Sequence, residues 1–101
     1  MTLPLQGRFG VAKPVIAMLH FPGLPGRPRH DRDGGRQHLL DVVGRDLATL
    51  QEAGVDGVLF CNEADIPYDL CVGIEIPAAM AAVIGELRPS IRVPFGVNIL
   101  W

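Results

Sequence analysis

Six residues carry the chemistry this sequence offers: His20, Arg27, Asn62, Glu63, Asp65 and Asn98. His20 closes the apolar run PVIAMLH, Asn62 closes GVLFCN, and Asn98 lies late in PFGVNIL. A histidine and a carboxylate held against a substrate can move its protons. Amide side chains orient a hydroxyl or carbonyl by donating and accepting hydrogen bonds. The reading is therefore His20 and Glu63 for proton transfer, with Asn62, Asp65, Asn98 and Arg27 as substrate contacts. Each residue also has a plainer role open to it. A strand-end histidine is often only hydrogen-bonded, and an asparagine often serves a turn or cap. Glu63 or Asp65 could equally be a metal ligand, a sugar-hydroxyl acceptor or an acid that orders its own loop. The matching positions of His20, Asn62 and Asn98 at three run ends single those three out.

Other candidates are weaker. Arg27, Arg29, Arg32 and Arg36 lie within ten residues but are interrupted by Asp31 and Asp33. A solvated loop is the better expectation there, with phosphate binding the alternative, since arginine is the usual bidentate phosphate ligand. His30, Asp31 and Asp33 could join a metal site, but exposure in an arginine-rich loop fits them better, and no metal site is expected. His38 reads as surface. Cys61 and Cys71 form no CxxC pair and read as small buried or half-buried thiols of a reducing compartment. No Ser/His/Asp arrangement is supported by spacing, and no residue pattern names a cofactor.

Composition narrows the class. The chain has 101 residues, 49% of them hydrophobic, and a net charge of −2. That is enough for a core and gives none of the clustered basic face that marks a nucleic-acid partner. No signal-peptide pattern opens the chain, and no apolar stretch approaches a membrane span. A cytoplasmic protein without a transmembrane segment is expected, with peripheral membrane association left open.

Elements must position these residues. Residues 14–20, 57–62 and 94–100 read as strands, nearly all apolar, as parallel strands covered on both faces are. Leu39, Leu40, Val43, Leu47 and Leu50 recur at helical spacing over about 36–53, with Gly54 as its stop. A second helix fits about 77–88, with Pro77 near its first turn and Met80, Val83, Ile84 and Leu87 as its buried stripe. Residues 1–12 read as a polar, glycine-spotted lead-in. The order β-α-β-α-β, with crossovers long enough for parallel pairing, allows a (β/α)8 barrel or an open doubly wound sheet. The stretch FPGLPG after the first strand is broken by prolines and does not open a helix, so no dinucleotide fingerprint is credible.

Side chains alternate faces along a strand. The expected inner face holds Met18 with His20, then Val58 and Phe60 with Asn62, then Gly96 with Asn98. Ala17, Leu19, Leu59, Cys61, Val97 and Ile99 are expected on the other, beneath helices. All three polar side chains would then point into a barrel at its C-terminal mouth, where barrel enzymes build their sites.

KPVIAMLHFPGLPGRP, AGVDGVLFCNEADIPY and AAMAAVIGELRPSIRVPFGVNILW together resemble the BtpA/SgcQ family, over about Lys13 to Trp101. The H-x-P-x-L-P-G loop and the P-x-G-V-N-x-L strand are specific in combination, and the NE-x-x-x-PY form is closest to the SgcQ-like branch. One departure is visible: the family usually has a proline before the glutamate matching Glu75, whereas here Ile76-Pro77 follows it. The resemblance implies a TIM-type (β/α)8 barrel, similar to phosphosugar-binding barrels, and no settled reaction. SgcQ-like members accompany sugar-uptake and catabolism genes, which implies a phosphosugar-like small-molecule ligand. BtpA itself is linked to photosystem I biogenesis at the thylakoid membrane, which implies the alternative of a non-catalytic assembly or stability factor. A nucleoside-triphosphatase role finds no P-loop here.

A (β/α)8 barrel needs about 250 residues, so these 101 residues are expected to be its first β-α-β-α-β portion, cut at the end of the third strand, with a homo-oligomer expected at full length. An unpaired apolar parallel edge invites self-pairing. Residues 1–101 expressed alone are therefore expected to be poorly soluble or oligomeric; a monodisperse monomer by light scattering, with a cooperative melt, would contradict this.

Overall fold

The computed structural model describes residues 4–66 and 73–100. A short helix α1 (Pro4–Phe9) precedes strand β1 (Ile16–His20), helix α2 (Gly35–Glu52), strand β2 (Gly57–Cys61) and helix α3 (Glu75–Leu87). A 3-10 turn (Arg88–Ser90) leads to strand β3 (Phe95–Asn98). The strands form one parallel sheet in the order β1-β2-β3, which rules out a first strand lying between the other two. No helix among the described residues is long and apolar enough to cross a membrane.

Both long helices cover the same face. Leu39, Val43 and Leu47 of α2 and Ile76, Met80, Val83 and Ile84 of α3 share one buried cluster with Leu19, Val58 and Phe60 of the sheet. Helical periodicity accounts for both stripes, since residues three and four apart stand on one side. Leu87, expected in the α3 stripe, is only partly buried, and Ile76 takes a place at its start. Gly54 ends the first crossover at φ 89°, a left-handed conformation that glycine adopts without steric cost. Phe60 is the hub: it is fully buried, and the rings of Phe21 and Phe95 meet it edge-on at 6.1 and 5.7 Å.

The opposite face is open. Ile16 and Met18 are 47% and 48% exposed, while Leu19 between Met18 and His20 is 1% exposed. At its C-terminal end Cys61 is buried, and at its N-terminal end this face is covered by α1. A Cβ on Gly57 would lie 2.8 Å from the Phe9 ring, so the glycine makes room for α1 to dock there. Local propensity argued against a helix in PLQGRF, because Gly7 weakens it. The packing of Phe9 on Gly57 is the tertiary contact that accompanies α1.

Phe60→Ala would empty the centre of this cluster. Phe-to-Ala changes in cores cost about 3–5 kcal/mol, so the urea midpoint is expected to fall sharply at an unchanged slope; a loss below about 1 kcal/mol would mean that Phe60 is not the hub.

Candidate functional site

The register sets which side chains stand together. His20 pairs with Cys61, and Cys61 with Asn98. In a parallel sheet such partners lie about 4.8 Å apart and point to the same face. His20, Cys61 and Asn98 therefore form a row across the C-terminal end of the open face, above Met18, Leu59 and Gly96. This corrects the expectation for β2. Val58 and Phe60 lie beneath the helices, and it is Leu59 and Cys61, not Val58, Phe60 and Asn62, that share a face with His20 and Asn98. A strand that is apolar throughout shows no alternation from which its faces can be read; the packing of Phe60 against Phe21 and Phe95 decides it.

Cys61 is the residue that sequence reasoning missed. Its thiol is buried, accepts a hydrogen bond from Asn98 Nδ2 at 3.7 Å and donates to Glu63 Oε2 at 3.9 Å. Burial pushes its pKa up, and the Glu63 carboxylate pushes the same way, against the smaller opposing effect of the Asn98 hydrogen bond. His20 and Glu63 are exposed beside it. The signal that could have found Cys61 is the equal spacing of three strands from their first paired residues, which puts position 61 level with 20 and 98.

Asn62 and Asp65 are arranged differently. Both are buried, at 1% and 2% exposure. Asp65 Oδ1 accepts from the Leu24 N–H at 2.9 Å, and Oδ2 accepts from Asn62 Nδ2 at 3.2 Å. Asn62 also takes the Leu100 N–H on Oδ1 at 2.6 Å and donates from Nδ2 to the Leu100 carbonyl at 3.1 Å. It thus pairs with that residue's backbone as a strand would. Arg27, half-buried, donates to the Asp65 carbonyl at 3.1 Å. Together these residues join the segments that follow all three strands.

The arginine-rich loop is folded, where a plain solvated loop was expected. Gly23 and His30 form an isolated bridge, and His30 Nδ1 lies 2.9 Å from the Gly23 carbonyl. Asp31 Oδ1 accepts from the Asp33 and Gly34 N–H groups, and the bond from Gly34 is the main reason its pKa is lowered. His38 is half-buried. No group of three or more metal-ligating side chains occurs among the described residues. Cys71 and the end of the NEADIPY stretch lie outside them. A cavity of about 640 Å³ opens at the other end of the sheet, lined by Phe9, Ile16, Leu59, Pro94 and Gly96 among others. It lies at the N-terminal ends of the strands, away from the polar row.

The BtpA family model matches residues 11–101. The sgc region protein SgcQ of Escherichia coli is 49% identical over 97 residues, which cover 96% of this chain and 36% of SgcQ. The uncharacterised protein PH1209 of Pyrococcus horikoshii is 38% identical over 88 residues, covering 87% of this chain and 33% of that one. MJ1115 of Methanocaldococcus jannaschii, also uncharacterised, is 30% identical over the same length. The chain thus spans about a third of the length of these relatives. No solved structure matches it.

The raised pKa of Cys61 gives a pH test. Peptide-resolved iodoacetamide labelling of the folded protein should have the midpoint of its pH profile above the ordinary thiol pKa of about 8.5. Glu63→Gln should move that profile to lower pH by removing the carboxylate's repulsion. The sign for stability follows: Cys61 contributes stability below the unfolded thiol's pKa and loses it as pH rises through the folded one. A folded-state profile at or below the ordinary range would contradict the assigned cause.

Proposed function

This chain belongs to the BtpA family, and from that membership we propose that it supplies the opening β/α units of a (β/α)8 barrel enzyme acting on a small phosphorylated sugar or related metabolite. The observation that carries the reading is the row His20–Cys61–Asn98 across adjacent strand ends, with Glu63 beside it. Parallel α/β sheets bind ligands at their carboxyl ends. In a closed barrel the open face becomes the interior, with Ile16, Met18 and Leu59 as an apolar floor under the polar row. The substrate class rests on the family resemblance.

In this reading His20 and Glu63 move protons, being the exposed acid–base groups at that end. Asn98 orients a hydroxyl or carbonyl and holds the Cys61 sulfur. Asn62 and Asp65 contribute to binding by fixing the loops that enclose the substrate, since their side-chain atoms bond one another and the backbone. Arg27 reaches the ligand from the loop after β1.

The test is a thermal-shift panel of sugar phosphates on the full-length protein, followed by turnover of whatever stabilises it. Ligand binding to the native state alone raises the melting temperature. General acid–base groups contribute about 10²–10⁴-fold, so Glu63→Gln and His20→Asn should each lower kcat by at least about a hundredfold. Wild-type turnover by Glu63→Gln would end its assignment. No stabilising ligand, together with a stoichiometric protein partner, would favour an assembly factor instead.

A further inference from the structure

The loop between β1 and α2 folds back on itself, and the turn encloses a space. The Arg27 N–H donates to the Leu24 carbonyl at 3.0 Å and the His30 N–H to the Arg27 carbonyl at 3.1 Å. The backbones of Gly23 and His30 approach so closely that a Cβ on Gly23 would lie 2.5 Å from the Arg29 carbonyl carbon. Only glycine fits there. Enclosed by this turn is a cavity of about 250 Å³ lined by Gly26, Arg27, Pro28, His30 and Arg32.

Among the described residues its lining includes Arg27, Arg32 and His30 and no acid. Of the acids nearby, Asp31 stands close enough to His30 for its charge to be felt there, and its hydrogen bonds are to backbone. Asp31 accepts from the Asp33 and Gly34 N–H groups, and the Asp65 carboxyl accepts from Leu24 and Asn62. Arg36, the last arginine of the run, faces Glu86 at 3.3 Å on α3. Two arginines thus line one small cavity in a chain whose net charge is −2.

Two of the three polar side chains are held in place. A guanidinium has five N–H donors in one plane, and the bond to the Asp65 carbonyl fixes the plane of Arg27. A carbonyl can only accept, so His30 Nδ1 must carry a hydrogen towards Gly23, which orients the ring. Groups fixed beforehand lose less entropy when a ligand binds. Gly26, at φ 86° with nothing within 4 Å of a built Cβ, leaves the backbone side of the cavity open.

We propose that this loop cavity is an oxyanion subsite that takes the phosphoryl group of the ligand, with Arg27 and Arg32 as its charged contacts and His30 as the third. Arginine's planar fork matches the oxygens of a phosphoryl group. The bond from Arg27 to Asp65 places the cavity beside the segment after β2, at the same end of the sheet as His20, Cys61 and Asn98. The inference deepens the phosphorylated-metabolite reading and rests on it for what the phosphoryl group is attached to.

The experiment titrates the full-length protein with inorganic phosphate at constant ionic strength, by calorimetry, with acetate and chloride as comparison anions. Arg32→Ala alters an exposed lining residue, and Arg29→Ala an exposed neighbour outside the lining. Phosphate is expected to bind the wild type and Arg29→Ala within about twofold of each other, and Arg32→Ala at least about tenfold more weakly, as loss of a charge-assisted contact implies. Acetate is expected to bind more weakly than phosphate. Equal phosphate affinity of Arg32→Ala and wild type, an equal loss in Arg29→Ala, or indifference between phosphate and chloride would each overturn the subsite. The readout needs no turnover. Phosphate binding lost only in Arg32→Ala supports the subsite even if no sugar phosphate is a substrate, and turnover without such binding sinks the subsite alone.

Discussion

A carboxyl group withdrawn from water, that of Asp65, holds the C-terminal end of this sheet together. Burying such a group unpaired would cost several kcal/mol, and here both oxygens have a donor, the Leu24 N–H and the Asn62 amide. The consequences reach beyond the pair. Asn62, held by Asp65, clasps both backbone groups of Leu100 and so carries the pairing of β2 and β3 past the last strand residue. Leu24 belongs to the loop after β1, and Arg27 of that loop returns to the Asp65 carbonyl. Three segments that could each move independently are tied to one another through two side chains.

This tie matters because the rest of the fold constrains only one side of the sheet. Phe60, with Phe21 and Phe95 against its ring, locks β2 onto the helices and thereby turns Leu59 and Cys61 to the open face. Core packing thus decides which side chains the site receives. The loops decide its walls, and the Asp65–Asn62 pair decides the loops. In the proposed barrel, further strands would bring the remaining walls, and the apolar floor of Ile16, Met18 and Leu59 is the kind of surface that inward-facing strand residues cover.

Much of this was legible. Most of both helical stripes, the β-α-β-α-β succession and the strand-end positions of His20 and Asn98 follow from apolar periodicity and breakers alone, because those signals are local, whereas the order of the strands in the sheet was left open. The face of β2 was not legible: GVLFC is apolar at every position except its glycine, so only its neighbours could orient it. Helix α1 was missed because its support is the remote contact of Phe9 with Gly57. The internal engagement of Asn62 and Asp65 was hidden for a related reason. Their partners Leu24 and Leu100 are 41 and 38 residues away from them and take part through backbone groups that no side-chain pattern reveals.

The electrostatics of the row point to one kind of chemistry over another. Cys61 is held as a neutral thiol by burial and by the carboxylate of Glu63, whereas a nucleophilic cysteine is activated by positive neighbours that lower its pKa. Two arginines of the loop after β1, Arg27 and Arg32, lie instead around the loop cavity. Negative and positive potential are therefore divided between two places at the same end of the sheet. That division is what the proposed phosphorylated ligand would require. The thiol donates to the Glu63 carboxylate at 3.9 Å, which in the proposed reading leaves proton transfer to Glu63 and His20.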